Sequence, residues 1–210
     1  YADITDSELD EATYEAAEKY YLEAKKAKAI DLFNGYLARF PKGSQRLKAH
    51  FYLAELYYKE SLTENALPHY KFVCEQPTNE FSEAALLKVS EILLDSKTYR
   101  DVLVYLSRLE LEARNPQNRL YAQSNLMKVF FQLENYDAAI RYAEVILNNS
   151  KTDTYIKSDA YIISARAAMK TKNETKAREA YAQVKTLASG EMGAEAQYFE
   201  AYFHNVDGAY

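Results

Sequence analysis

Apolar residues recur at intervals of three and four along nearly the whole chain, and short polar stretches interrupt them. This is the spacing of helices that each bury one face. The interruptions are themselves periodic. A small residue opens the second half of each stretch: Ala29 in KAKAI, Ala66 in TENAL, Val102 in YRDVL, Ala139 in YDAAI and Ala177 in ETKAR. Successive spacings are 37, 36, 37 and 38 residues. Four positions on stands a large residue, Phe33, Tyr70, Leu106 or Tyr181, with Ala143 as the exception. A fixed period of this length is the mark of a repeat architecture. Each unit reads as a helix, a tight turn and a second helix.

The polar breaks carry stop and start chemistry. FPKGS at 40–44 ends a helix with Pro41 and Gly43, and Ser44 is placed to cap the next. QPTNE at 76–80 and ARNPQN at 113–118 punctuate in the same way, while Asn135-Tyr136-Asp137 and Lys172-Asn173-Glu174 mark turns within units. Pro68 either bends its helix or sits harmlessly in the first turn. The expected units are 7–42, 43–78, 79–115, 116–152 and 153–189. An unpaired first helix at 190–207 follows, and the whole of 1–210 is expected to form a single domain of about 11 helices.

Composition sharpens this picture. Five Gly and four Pro in 210 residues are too few for a β-rich fold with its many turns. No run of 18 uncharged apolar residues occurs, so no transmembrane segment is expected. A net charge of −5 without a Lys/Arg block argues against a nucleic-acid partner. Cys74 is the only cysteine, read as a small buried residue rather than a thiol nucleophile. His50, His69 and His204 form no ligand pair at helical spacing.

The repeat resembles the tetratricopeptide repeat, or TPR. The first unit supplies Ala17, Tyr20, Ala29, Phe33 and Pro41; the second Leu53, Ala54, Tyr57, Ala66, Tyr70 and Pro77. The third has Val89, Ser90, Leu93, Tyr99 and Val102, the fourth Leu126, Phe130, Tyr136, Ala139 and Ile146, and the fifth Ala165, Ala168, Ala177, Tyr181 and Val184. The period is longer than the usual 34 residues, and Met127 stands where a small residue is usual. The resemblance implies an all-α, right-handed α-solenoid. The junction Phe40, Pro41, Gly43, Ser44, followed by AHFYLAELYY at 49–58, is similar to long-period TPR proteins of the Gram-negative cell envelope. Those of the BamD type and the Tol-Pal-associated type are the examples. That implies a periplasmic or outer-membrane-associated location, with a cytoplasmic one left open. AEAQYFEAYFHNVDGAY at 194–210 reads as the first helix of a sixth unit, with the turn into a second helix beginning near Gly208 and Tyr210, and its apolar face (Tyr198, Phe199, Tyr202, Phe203) implies a longer natural chain.

Within AHFYLAELYY, Leu53, Ala54 and Tyr57 are expected to face the partner helix, and His50 the previous unit. Phe51, Glu55 and Tyr58 then form a separate stripe, which the resemblance places on the concave groove. Carried along by repeat position, the stripe holds Tyr14, Glu18 and Tyr21; Phe51, Glu55 and Tyr58; Leu87, Glu91 and Leu94; Tyr121, Ser124, Lys128 and Phe131; Ile162, Arg166 and Lys170; and Tyr198 and Tyr202. Its charge changes from Glu in three units to Lys128 and Arg166, which favours a ligand that is basic at one end and acidic at the other.

No phosphate loop, metal-binding pair or nucleophile motif occurs. Tyr14, Glu18, Tyr52, Ala84 and Lys88 stand where some TPR proteins carry a carboxylate clamp, and only Lys88 has the right character. The expected function is a non-catalytic scaffold that binds a peptide or protein segment in the groove, without a cofactor. The alternatives are a structural spacer within a longer solenoid, and the regulatory region of a protein whose catalytic domain lies elsewhere.

Overall fold

A computed structural model describes residues 5–208. Among the described residues there are eleven α-helices and no strand: α1 (Asp6–Leu22), α2 (Lys26–Arg39), α3 (Arg46–Lys59), α4 (Thr63–Glu75), α5 (Ser82–Asp95), α6 (Tyr99–Glu112), α7 (Pro116–Gln132), α8 (Tyr136–Asn148), α9 (Thr154–Lys170), α10 (Glu174–Leu187) and α11 (Gly190–Val206). They form two compact units, an N-terminal lobe of residues 1–96 and a C-terminal lobe of residues 97–210.

In the N-terminal lobe each helix packs on the next, from α1 through α5. In the C-terminal lobe the same holds from α6 through α11, and α7 also touches α9. The small residues that set the sequence period sit at these crossings. Ala29, Ala66, Val102, Ala139 and Ala177 are all fully buried, as are Ala17, Ala54, Ala165 and Ala168 on the first helices. A small side chain there lets two helix backbones approach. Beside these crossings Phe33, Tyr36, Tyr70, Leu106 and Val184 fill the space between helices and are likewise fully buried.

The turns inside the repeats share one conformation that the sequence does not announce. Ala24, Ser61, Lys97, Glu134 and Lys172 all have φ between 55° and 60°, the left-handed region, and none is glycine. Their spacings of 37, 36, 37 and 38 reproduce the sequence period. In four of the five, two backbone bonds close the helix end. Lys25 N–H donates to Tyr20 O, Leu62 to Tyr57, Asn135 to Phe130 and Asn173 to Ala168, while the left-handed residue itself donates to the carbonyl three positions back. This is a Schellman ending, for which glycine is the usual residue. Here the next helix starts at once, which holds the strained residue in place.

The junction at 40–45 is built differently. Asp10 accepts from the Tyr36 hydroxyl at 2.6 Å and from Ser44 N–H at 2.8 Å, and Tyr36 in turn accepts from Gln45 N–H at 3.1 Å. Burial raises the Asp10 pKa, but the bonds from Tyr36 and Ser44 outweigh it and hold the carboxyl below its ordinary value. A Cβ on Gly43 would lie 2.4 Å from the Tyr36 hydroxyl oxygen, so only glycine fits. The sequence expects Ser44 to cap α3, but the N-cap position is Gln45, no side chain caps that helix, and the Ser44 amide is bound to Asp10. Pro68 is the sixth residue of α4, past the first turn, so the helix lacks one interior N–H there. Cys74 is buried, and Tyr210 lies outside the described residues.

Candidate functional site

In the N-terminal lobe the expected stripe lies on an aromatic sheet of side chains contributed by successive first helices. Tyr21 of α1 stacks on Tyr52 of α3 at 4.5 Å, and Phe51 of α3 stacks on Phe81 at the start of α5, also at 4.5 Å. Tyr52 links the two pairs, 6.1 Å from Phe51 and 6.2 Å from Phe81. These rings are half-buried. Tyr14 is not part of the surface: it is 2 % exposed, wedged against Phe33 and edge-on to Tyr36.

The carboxylates of the stripe receive tyrosine hydroxyls. Tyr14 donates to Glu18 at 2.8 Å, Tyr70 of α4 to Glu55 at 2.5 Å, and Tyr58 to Glu91 at 3.0 Å. Burial first, then the neighbouring carboxylate, pushes the Tyr14 and Tyr70 hydroxyls far above the usual phenol value, so both remain neutral donors. Glu91 has a cationic partner as well. Lys88 reaches it at 2.8 Å and lies 4.3 Å from the centre of the Tyr58 ring.

In the C-terminal lobe two of the stripe's cations, Lys128 and Arg166, are paired within the protein. Lys128 of α7 meets Asp159 of α9 at 2.5 Å, and Asp159 is only 8 % exposed. Arg166 of α9 grips Glu195 of α11 with two bonds of 2.9 and 2.5 Å, and Tyr181 donates to the same carboxylate at 2.9 Å. The bonds from Arg166 hold the Glu195 pKa down against its burial. Each pair joins a first helix to the first helix of the next repeat. Lys170 is exposed and makes no ion pair with a described residue. Tyr121 and Phe131 are half-buried, the latter edge-on to Tyr136 at 5.6 Å, and Tyr198 and Tyr202 are 65 % and 44 % exposed.

Sequence reasoning missed the partners of the stripe's charges, and it placed on the groove two further residues that are buried like Tyr14, namely Ser124 and Ile162. Asp159 and Glu195 lie 36 residues apart and repeat the period, which was the one signal available for them. It also misplaced His50. That ring does not face the previous repeat; it stacks on Phe72 of α4 at 3.8 Å, and its Nδ1 lies 2.8 Å from Nδ1 of His69 on the same helix. Burial first, then His69 and Arg46, lowers the His50 imidazole to about 4, and burial lowers His69 too. Leu53 and Ala54 are buried, while Tyr57 stacks on His69 and accepts from Asn34 of α2.

Among the described residues no group of three or more His, Cys, Asp or Glu could hold a metal, and no helix is long and apolar enough to cross a membrane.

No protein-family profile and no curated protein sequence matches the chain. Solved structures do. The nearly identical TPR-like repeats of a kinesin light chain-like protein from Podosopora anserina are 16 % identical; the match covers 86 % of this chain and 95 % of that one, with a TM-score of 0.50. A single-substitution variant of those repeats is 15 % identical and is matched over 93 % of this chain and 100 % of that one, with a TM-score of 0.49. The likeness is one of fold: the chain is an all-α protein of TPR-like helical repeats.

Proposed function

We propose that the chain is a non-catalytic scaffold whose first-helix faces hold a segment of another protein. TPR-like repeats commonly mediate protein–protein interaction, and the observation that supports this use here is the pair of half-exposed aromatic stacks, Tyr21 on Tyr52 and Phe51 on Phe81. Rigid rings with few rotatable bonds give large contact area at little entropic cost. The experiment is binding of candidate proteins to the immobilised chain and to a folded Tyr52→Ala, Phe51→Ala variant. A partner lost by at least tenfold supports the reading; a partner retained equally by both overturns it.

A second reading, a spacer within a longer solenoid, is favoured by the engagement of the stripe within the protein, as in Arg166 with Glu195. It expects no partner to be lost from either lobe on mutation of the stripe. The 40–44 junction supports a further proposal of a Gram-negative cell-envelope location, although packing at Gly43 accounts for that junction by itself. Fractionation of source cells tests it, with recovery in the cytoplasm as the contrary result.

A further inference from the structure

The sequence suggests a stripe of two opposite charges, but among the described residues ion pairs leave Lys170 as its one unpaired cation. Lys128 and Arg166 are each neutralised by a carboxylate of the next first helix. Glu18 and Glu55 are bound only by neutral hydroxyls, through one oxygen each. Among the described residues the second oxygen of each accepts no hydrogen bond and meets no cation. A hydroxyl satisfies an acceptor without cancelling its charge.

These two carboxylates flank one feature, the Tyr21–Tyr52 stack. Both phenols have raised pKa values, from burial first and then from nearby carboxylates: Glu55 acts on Tyr21, and Glu18 and Glu80 act on Tyr52. Glu80 is exposed and unpaired among the described residues. The protein's own cation here is Lys59, 6.0 Å from the centre of the Tyr21 ring. Carboxylates thus act on both rings of the stack, and Lys59 is the cation beside it. Aromatic faces attract cations, and more strongly when a carboxylate stands beside them.

The geometry points to a basic polypeptide segment as the partner of the N-terminal lobe, with Lys or Arg side chains laid across Tyr21 and Tyr52 between Glu18 and Glu55. This rests on the scaffold reading above and narrows it to one charge class. Lys128 and Arg166 of the C-terminal lobe call for no acidic stretch in the partner, since each is already paired.

The test is selection of a displayed library of random twelve-residue peptides on the intact chain, and on a Glu18→Gln, Glu55→Gln variant with an unchanged melting curve. Glutamine keeps an acceptor for Tyr14 and Tyr70 and removes only the charge. Peptides selected on the natural chain should be enriched in Lys and Arg over Asp and Glu. Their affinity should fall about tenfold on the variant, and also when salt is raised from 50 to 300 mM. Selection of neutral or acidic peptides that the Tyr52→Ala, Phe51→Ala variant loses would overturn the basic-partner inference and leave the scaffold reading standing. Basic peptides held equally by the glutamine variant would overturn the assignment to Glu18 and Glu55. No selection above background would count against both readings.

Discussion

The two lobes build the same helical repeat from different materials. The core of the N-terminal lobe is aromatic around α1–α3: Tyr14, Phe33 and Tyr36 are buried together, and the half-buried Tyr20, Tyr21, Phe40, Tyr52 and Tyr57 pack against them. The core of the C-terminal lobe is richer in small and aliphatic residues, with Ala139, Ala143, Ala160, Ala165, Ala168, Ala177 and Ala180 beside Ile146, Ile163 and Val184, and its buried rings are Tyr181 and Phe203 among the described residues. The polar chemistry follows. Where rings fill the space, their hydroxyls reach the carboxylates of neighbouring helices, as in Tyr36 to Asp10 and Tyr70 to Glu55. Where alanines bring helices close, side chains longer than the gap bridge them as ion pairs, as in Lys128–Asp159, Arg166–Glu195, Lys176–Glu144 and Arg178–Asp207. A repeat fold fixes the crossing and leaves open how it is filled.

The largest effects should come from the cores. Phe33→Ala would remove a fully buried ring from the N-terminal lobe and should cost about 3–5 kcal/mol in denaturant unfolding. Ala165→Leu tests the opposite weakness: overpacking a close crossing should cost about 1–3 kcal/mol. A neutral result at Ala165 would mean that the C-terminal lobe is not held by close approach.

The lobes should also differ in their response to pH. His50 in the fold takes up a proton only near pH 4, whereas the unfolded chain does so near its ordinary value of about 6.5. The unfolded state therefore binds more protons in between. Stability should be fully present above that ordinary value, and should fall by about 1–3 kcal/mol as pH drops from about 6.5 to 4. Arg46, over the Phe72 ring, adds like charge to the protonated imidazole. His50→Phe should flatten this part of the profile, and an unchanged slope would remove the histidine pair from the comparison.

Smaller effects separate ion pairs from hydroxyl bonds. Arg166→Glu faces Glu195 with a like charge and should destabilise by about 1 kcal/mol, with recovery in the Arg166→Glu, Glu195→Arg double variant. High salt should shrink the effect, because the Arg166 side chain is 45 % exposed. Ser61→Gly and Glu134→Gly, one in each lobe, should each stabilise by about 0.5–1 kcal/mol by relieving a left-handed non-glycine residue. Equal gains are expected, since this turn is the part the lobes share; unequal gains would show that it is not.

These contrasts also mark what the sequence made legible. The period and the buried small residues Ala29, Ala66, Ala139 and Ala177 could be read directly, because burial on one helix face leaves a repeating apolar pattern. The left-handed turns could not, because Ala24 and Lys97 carry no turn signature; neighbouring backbone bonds impose their conformation. Nor could the fate of the stripe's charges. Glu55 and Arg166 occupy equivalent repeat positions, yet one meets a tyrosine hydroxyl and the other a carboxylate. That outcome depends on which long side chain the adjacent helix happens to offer, and helical spacing within one segment carries no record of it.

The connections between helices bear on how such a chain tolerates change. Inside each repeat the same three-residue link recurs, at 23–25, 60–62, 96–98, 133–135 and 171–173, whereas the links between repeats run from two residues at 188–189 to six at 40–45 and 76–81. Extra residues can therefore enter by one set of loops and not by the other. Length added between repeats costs little closure entropy, while length added within a hairpin breaks a bonded turn. A spliced-in reporter, protease site or recognition loop has its natural berth at 76–81 or 149–153, and the variable period of the sequence is the trace of that permission.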